Sequence, residues 1–130
     1  MQSVNQAAVE AARAKLRQLD ANRAARPHCQ VTGSSLAHAL KSLAGIFEQI
    51  NSGDTVVVSF DGTVLSFDCN GLITVVVATG TAWPARYQLP MAAIADALPI
   101  RLALPVVEVG IWKSMLEIDR VRCPGASELK

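Results

Sequence analysis

Aromatic and charged residues are both scarce in this chain of 130 residues. Aromatic residues make up 5% and charged residues 18%, whereas 51% of the residues are apolar. Because apolar residues are so abundant, the composition excludes a disordered body and indicates a core built mainly from Val, Leu, Ile and Ala. The length suits one domain with a single core.

The chain also lacks a long apolar run. The best candidate, residues 92–112, is interrupted by charged residues and prolines, so it does not reach the length of a membrane-spanning helix. Charged residues begin early, and the N-terminus shows no apolar segment of the kind found in secretory signal peptides. We therefore expect a cytoplasmic protein that does not contact a membrane.

Motifs for metal binding and disulfide formation are missing as well. Cys29, Cys69 and Cys123 are odd in number and form no C-x-x-C pair, which argues against a zinc site and a disulfide framework. They are expected to be reduced, partly buried thiols. His28 and His38 lie ten residues apart, without a companion at metal-ligand spacing.

Two further residue patterns could suggest catalysis, but each has a structural explanation. The segment Gly-Ser-Ser-Leu-Ala at residues 33–37 lacks the last glycine of a nucleophile elbow, and it suits a turn that caps a helix. Asp61 and Asp68 flank hairpin turns, whereas Glu117 and Asp119 are expected on one solvated strand face. We predict no catalytic residue, no metal and no cofactor, and hence no enzyme.

The order of the predicted elements is the most informative feature. Asp61-Gly62 and Asn70-Gly71 each separate two β-rich runs, and both dipeptides tolerate the positive φ of tight hairpin turns. Apolar periodicity predicts helices over residues 4–25, 35–50 and 91–98. The remaining runs predict strands, with a final hairpin made by residues 106–112 and 115–123.

This order predicts an α+β fold with one largely antiparallel sheet and two helices packed on one face. An extra amphipathic helix precedes that domain. The predicted boundaries are residues 1–27 for the N-terminal helix, 28–123 for the domain, and 124–130 for a polar tail that frays.

The N-terminal segment is the basic part of the chain. Residues 1–26 hold five basic and two acidic residues, whereas the rest holds seven basic and nine acidic residues. Such a helix can approach nucleic acid or an acidic partner, although a solvated face is the simpler explanation. The predicted nucleic-acid contacts are Arg13, Lys15, Arg17, Arg23 and Arg26.

Trp83 and Trp112 are the two tryptophans of the chain. Trp83 precedes a proline in a predicted loop, and Trp112 lies at the tip of the final predicted hairpin. Exposed aromatic side chains of this type can anchor a protein partner. The alternative is that both side chains cover the rim of a small core.

The element order from residue 29 to residue 123 resembles one repeat of the DNA sliding clamp family. In that fold a strand leads into an amphipathic helix, antiparallel strands follow, and a second short helix precedes a closing hairpin. The matching segments here are residues 31–43, 87–99 and 106–123. The chain has length for one repeat, whereas clamp subunits carry two or three.

The resemblance implies a clamp-like interaction module. Clamps hide the sheet edges of each repeat by pairing them with the next repeat, so a lone repeat is expected to form a homo-oligomer. The predicted function is an accessory role in DNA metabolism, with weak nucleic-acid binding. The alternative is a small-ligand or protein-binding accessory protein without a DNA role.

Overall fold

In a computed structural model of the chain, the described residues are 2–49, 53–98 and 105–129. Within the first helix, side chains are described for residues 7–18. The helices are α1 (Gln2–Ala25), α2 (Gly33–Phe47) and α3 (Met91–Ala95). The strands are β1 (His28–Thr32), β2 (Thr55–Phe60), β3 (Val64–Cys69), β4 (Leu72–Val77), β5 (Arg86–Pro90), β6 (Val106–Trp112), β7 (Met115–Ile118), β8 (Val121–Pro124) and β9 (Ser127–Leu129).

The three hairpin turns that the sequence predicts, at Asp61-Gly62, at Asn70-Gly71 and at residues 113–114, are all present. Asn70 and Gly71 have φ values of 55° and 88°, which are those of a two-residue turn between β3 and β4. Lys113 and Ser114 also have positive φ, at 50° and 61°, and they join β6 to β7. Short local conformational preferences therefore decide these turns.

Aspartate side chains complete two of the turns. One carboxylate oxygen of Asp61 accepts hydrogen bonds from the backbone N–H of Thr63 and of Val64, each at 2.8 Å. These bonds, the one from Thr63 first, lower the pKa of the Asp61 carboxyl below its usual value. Asp68 accepts a similar bond of 2.9 Å from the N–H of Gly71. Both carboxylates therefore serve the backbone, as expected from the sequence.

Helix α2 buries the face that its periodicity predicts. Leu36, Leu40, Leu43 and Phe47 all lie in the core, and Ala39 joins them. The helix begins at Gly33, two residues earlier than predicted, and no side chain caps its first turn. The predicted capping role of residues 33–35 is therefore wrong. The N–H of Gly33 instead bonds the carbonyl of Pro105, at 2.9 Å.

The predicted α+β class is confirmed, but the strands form two antiparallel sheets rather than one. The first sheet has the order β1-β6-β7-β8, and the second has the order β4-β3-β2-β5-β9. Helix α2 contacts β1 of the first sheet and β4 of the second, whereas α3 contacts β8 and β5. The two helices also touch each other, so they bridge the sheets.

The chain repeats one order of elements. Residues 28–77 run strand, helix and three strands, and residues 86–124 run the same order again. The first strand of each unit pairs with the other unit, because β1 pairs with β6 and β5 pairs with β2. This exchange joins the two units around one core.

The C-terminal segment differs from the prediction in two ways. The predicted strand over residues 115–123 is broken at Asp119, which has a φ of 57° and starts a turn. The tail that was expected to fray instead forms β9, which pairs with β5. Its path is held by the bond from the N–H of Ala126 to the carbonyl of Ser114, at 2.9 Å. Backbone pairing thus overrides the polar character of these residues.

Among the described helices, none combines the length and the apolar character that crossing a bilayer requires.

Placing a charge on the buried face of α2 tests the helix register. Leu43 is fully buried, whereas its neighbour Ser42 is exposed. We expect Leu43→Asp to lower the free energy of unfolding by about 4 kcal/mol or more, because an unpaired carboxylate would be buried. Ser42→Asp should change it by less than about 0.5 kcal/mol. Circular dichroism melting measures both, and a native-like melt of Leu43→Asp would contradict the register.

Candidate functional site

Helix α1 presents basic side chains to solvent. Residues 7–18 are all exposed, including Arg13, Lys15 and Arg17. Arg23 also belongs to α1, but its side chain lies outside the described part of the chain. Three of the five predicted nucleic-acid contacts are therefore accessible to a phosphate backbone.

The spacing along α1 separates these charges into two faces. Arg13 and Arg17 are four residues apart and lie on the same side, whereas Lys15 lies nearly opposite. Two apolar side chains of α1 are also uncovered, since Val9 is 47% exposed and Leu16 is 60% exposed. Arg13 and Arg17 are thus the pair that can contact one nucleic-acid strand together.

Arg26 does not belong to this basic surface. Its side chain is 4% exposed, and the guanidinium group forms an ion pair with the Glu108 carboxylate on β6. The carbonyl of Arg26 bonds the Nδ1 atom of His28 at 2.7 Å. The prediction of Arg26 as a phosphate contact is corrected here, because its charge is directed into the domain and is already paired.

The space around Arg26 depends on a glycine. A Cβ atom on Gly110 would collide with Nη1 of Arg26 and would lie 2.7 Å from the carbonyl oxygen of Pro27. The same carbonyl accepts a hydrogen bond of 2.8 Å from the N–H of Ile111. The chain between α1 and β1 is therefore packed tightly against β6.

Trp83 lies in the core rather than on the surface. It is 7% exposed, and its ring meets Phe60 and Tyr87 edge-on at centroid distances of 6.2 and 6.0 Å. Its backbone N–H bonds the carbonyl of Phe60 at 3.0 Å. This placement agrees with the core-rim alternative and leaves little of Trp83 for a partner to contact.

Trp112 is half-buried at the end of β6, where the sequence places it. The Lys113 ammonium lies 5.7 Å from the centroid of its ring, which is within the range of a cation–π contact. Of the two tryptophans predicted as partner anchors, Trp112 is the one with an accessible surface.

A small cavity lies between the junction of α1 with β1 and the loop before β5. Its volume is about 360 Å³, and it is lined by Arg26, Pro27, His28 and residues 81–84. Nε and Nη1 of Arg26 and Nε1 of Trp83 are buried, and none has a hydrogen-bond partner among the described residues. Unpaired N–H donors favour an oxygen acceptor, either water or a small anion.

The cysteines do not have the character of nucleophiles. All three are free and buried. Burial, and then the charge of Glu108, raise the pKa of the Cys29 thiol to about 12. Burial raises the pKa of the Cys123 thiol to about 11. The thiols are therefore protonated at neutral pH and pack as small apolar groups, as expected.

Glu117 and Asp119 are placed differently from the prediction. Glu117 is only 4% exposed, because β7 is a central strand with both faces covered. Arg122 lies directly opposite it on β8. Asp119 belongs to the following turn, so the two carboxylates do not share a solvated strand face. No cluster of three metal-ligand side chains occurs within the described ranges.

Strand β4 forms an uncovered edge that the sequence analysis missed. It lies at the end of the second sheet, and its apolar side chains are exposed: Ile73 is 58% and Val77 is 76% exposed. The sequence does contain a sign of this apolar edge, since no charged residue occurs between Asp68 and Arg86. Without knowing that β4 is an edge, an apolar strand is more simply placed inside a sheet.

No protein-family model matches this chain, no curated protein matches its sequence, and no solved structure matches its coordinates.

The ion pair between Arg26 and Glu108 has a testable energetic role. We expect Glu108→Ala to lower the free energy of unfolding by about 2 kcal/mol, because it removes a carboxylate that pairs with the buried guanidinium. Adding Arg26→Met should restore most of that loss. Glu128→Ala, which removes an exposed carboxylate on β9, serves as the control. Urea denaturation measures all of them, and equal stabilities of Glu108→Ala and the control would contradict the role.

Proposed function

We propose that this chain is a non-enzymatic, clamp-like interaction module that self-associates and acts as an accessory factor in DNA metabolism. The observation that carries the proposal is the architecture. A strand leads into the amphipathic helix α2, antiparallel strands follow, and the short helix α3 precedes a closing hairpin. This order supports the resemblance to one repeat of a sliding clamp.

The exposed sheet edge favours an assembly over an isolated domain. Strand β4 presents unpaired backbone groups together with apolar side chains, and such an edge is a template for another strand. The buried thiols and the carboxylates engaged in turns favour binding over chemistry. We therefore expect the function to depend on binding surfaces instead of a catalytic site.

Helix α1 supplies the proposed contact with nucleic acid. Arg13 and Arg17 are exposed on one face of α1, which also carries the exposed carboxylate of Glu10. Basic side chains on an exposed helix bind phosphates without reading the bases. Binding is therefore expected to be weak and independent of sequence.

The salt dependence of DNA binding tests this contact. Two phosphate contacts predict that the affinity for a short duplex falls about 12-fold between 50 and 200 mM salt. Arg13→Gln combined with Arg17→Gln should abolish most binding at low salt. The matched control is Lys41→Gln with Arg120→Gln, which removes two exposed charges outside α1. Fluorescence anisotropy measures the affinities.

Two outcomes of that measurement would contradict the DNA role. If the control pair weakens binding as much as the α1 pair, the contact is not α1. If the unaltered protein does not bind DNA at low salt, the DNA role is wrong. Substitutions are preferable to removing residues 1–26, because Arg26 is packed into the domain.

A second candidate function is the binding of a small anion without a DNA role. The cavity lined by Arg26 and Trp83 favours it, because both side chains carry buried N–H donors that lack partners among the described residues. Trp112→Phe leaves Trp83 as the single tryptophan, so its emission reports on this cavity. We expect a saturable change on titration with inorganic phosphate or acetate if this function is correct. No change with either anion would contradict it.

A further inference from the structure

The backbone groups of β4 point alternately toward its partner strand β3 and toward the outer side of the sheet. The two-residue turn at Asn70-Gly71 makes Cys69 and Leu72 a hydrogen-bonded pair, so the residues with even numbers in β4 bond to β3. The N–H of Ala78 continues this pattern by bonding the carbonyl of Thr63, at 3.0 Å. The N–H and C=O groups of Ile73, Val75 and Val77 therefore point away from β3.

Thr79, the next outward-facing residue, shows that these backbone N–H and C=O groups form hydrogen bonds when another strand is near. Thr79 exchanges two hydrogen bonds with Gln30 of β1, at 2.8 and 2.9 Å. Beyond this bridge the described chain provides no strand on the outer side of β4. Three consecutive outward-facing residues thus remain at a sheet edge.

The side chains of this edge are apolar and uncharged. Ile73, Val75 and Val77 are β-branched and are between 57% and 76% exposed. Edge strands are ordinarily protected by charges, prolines or bulges, and β4 has none of these. Strand β8, at the edge of the other sheet, carries Arg122 and ends in Pro124. Protection is therefore present at β8 and missing at β4.

We propose that β4 pairs with β4 of a second copy, antiparallel, about a two-fold axis at Val75. Val75 then faces Val75 of the second copy, and Ile73 faces Val77. Each outward-facing residue meets an outward-facing residue, so all of their N–H and C=O groups become paired. The inference rests on the self-association in the proposed function and identifies the surface that produces it.

The open edge of β4 is complementary to itself, which favours a second copy of the chain as its partner. A two-fold axis at Val75 places residues of β4 opposite residues of the same strand, so like charges on this strand would repel each other, whereas β4 is uncharged. The groove between β4 and α2, of about 390 Å³, is lined by Ser34, Ser35, His38 and residues 75–77. Its lining contains no carboxylate, lysine or arginine, so it does not select a charged partner.

Changing Val75 tests the interface without disturbing the β3–β4 pairing. Because the N–H of Val75 points outward, Val75→Pro removes a donor from the interface and none from the ladder. Val75→Lys places two like charges together at the axis. The matched control is Val106→Lys on β6, since Val106 is 52% exposed and Val75 is 57% exposed.

Light scattering after size exclusion measures the outcome. We expect the unaltered chain and Val106→Lys to have twice the monomer mass of 13.8 kDa. Val75→Lys and Val75→Pro should be monomers, with circular dichroism melts that show them to be folded. If Val75→Lys self-associates as well as the unaltered chain does, the β4 interface is wrong but the self-association stands. A monomeric unaltered chain would overturn both, while the DNA measurement on α1 stays independent of this result.

A charge-swap pair tests the register. Val75→Glu alone should also be monomeric, but an equimolar mixture of Val75→Lys and Val75→Glu should recover the dimer mass. Only a register with residue 75 opposite itself brings these two charges together. Failure of the mixture to associate, while the unaltered chain is a dimer, would overturn the two-fold axis at Val75.

Discussion

The exchange of first strands between the two repeated units is the constraint on which the fold depends. Strand β1 leaves its own unit to pair with β6, and β5 leaves its unit to pair with β2. Neither unit can complete its sheet without the other, so the two fold as one body around a shared core. These contacts are also far apart in sequence, and the entropy of closing the chain opposes them. Their stability must therefore come from the apolar surface that the joined sheets bury.

The exchange also determines which parts of the molecule face outward. Since β1 and β5 fill positions inside or beside the other unit, the last strands of the units, β4 and β8, become sheet edges. Helix α1 enters the domain through β1, so Arg26 is drawn against β6 and pairs with Glu108. Arg13, Lys15 and Arg17 remain exposed on helix α1. The pairing of β1 with β6 thus buries the charge of Arg26, while other basic residues of the N-terminal segment stay accessible.

The polar groups of the domain are used for its own structure. Asp61 and Asp68 complete turns, and Arg26 and Glu108 fasten the junction of α1 and β1 to β6. Among the described residues, interaction capacity remains on the exposed face of α1, in the backbone of β4 and in the unpaired N–H donors of Arg26 and Trp83. Phosphate binding by α1 would be electrostatic and sensitive to salt, whereas pairing through β4 would depend on hydrogen bonds and apolar contact. The two surfaces can therefore be altered independently.

The sequence by itself determined the local features of this protein. Asn70-Gly71 specifies a turn because both residues tolerate positive φ, and the spacing of Leu36, Leu40 and Leu43 specifies the buried face of α2. The tertiary structure alone decided the division into two sheets, the pairing of β9, and the burial of Arg26 and Trp83. It also made β4 an edge, since an apolar strand has the same pattern inside a sheet and at its end. These features depend on which distant segment lies alongside, and periodicity within one segment contains no information about its neighbour.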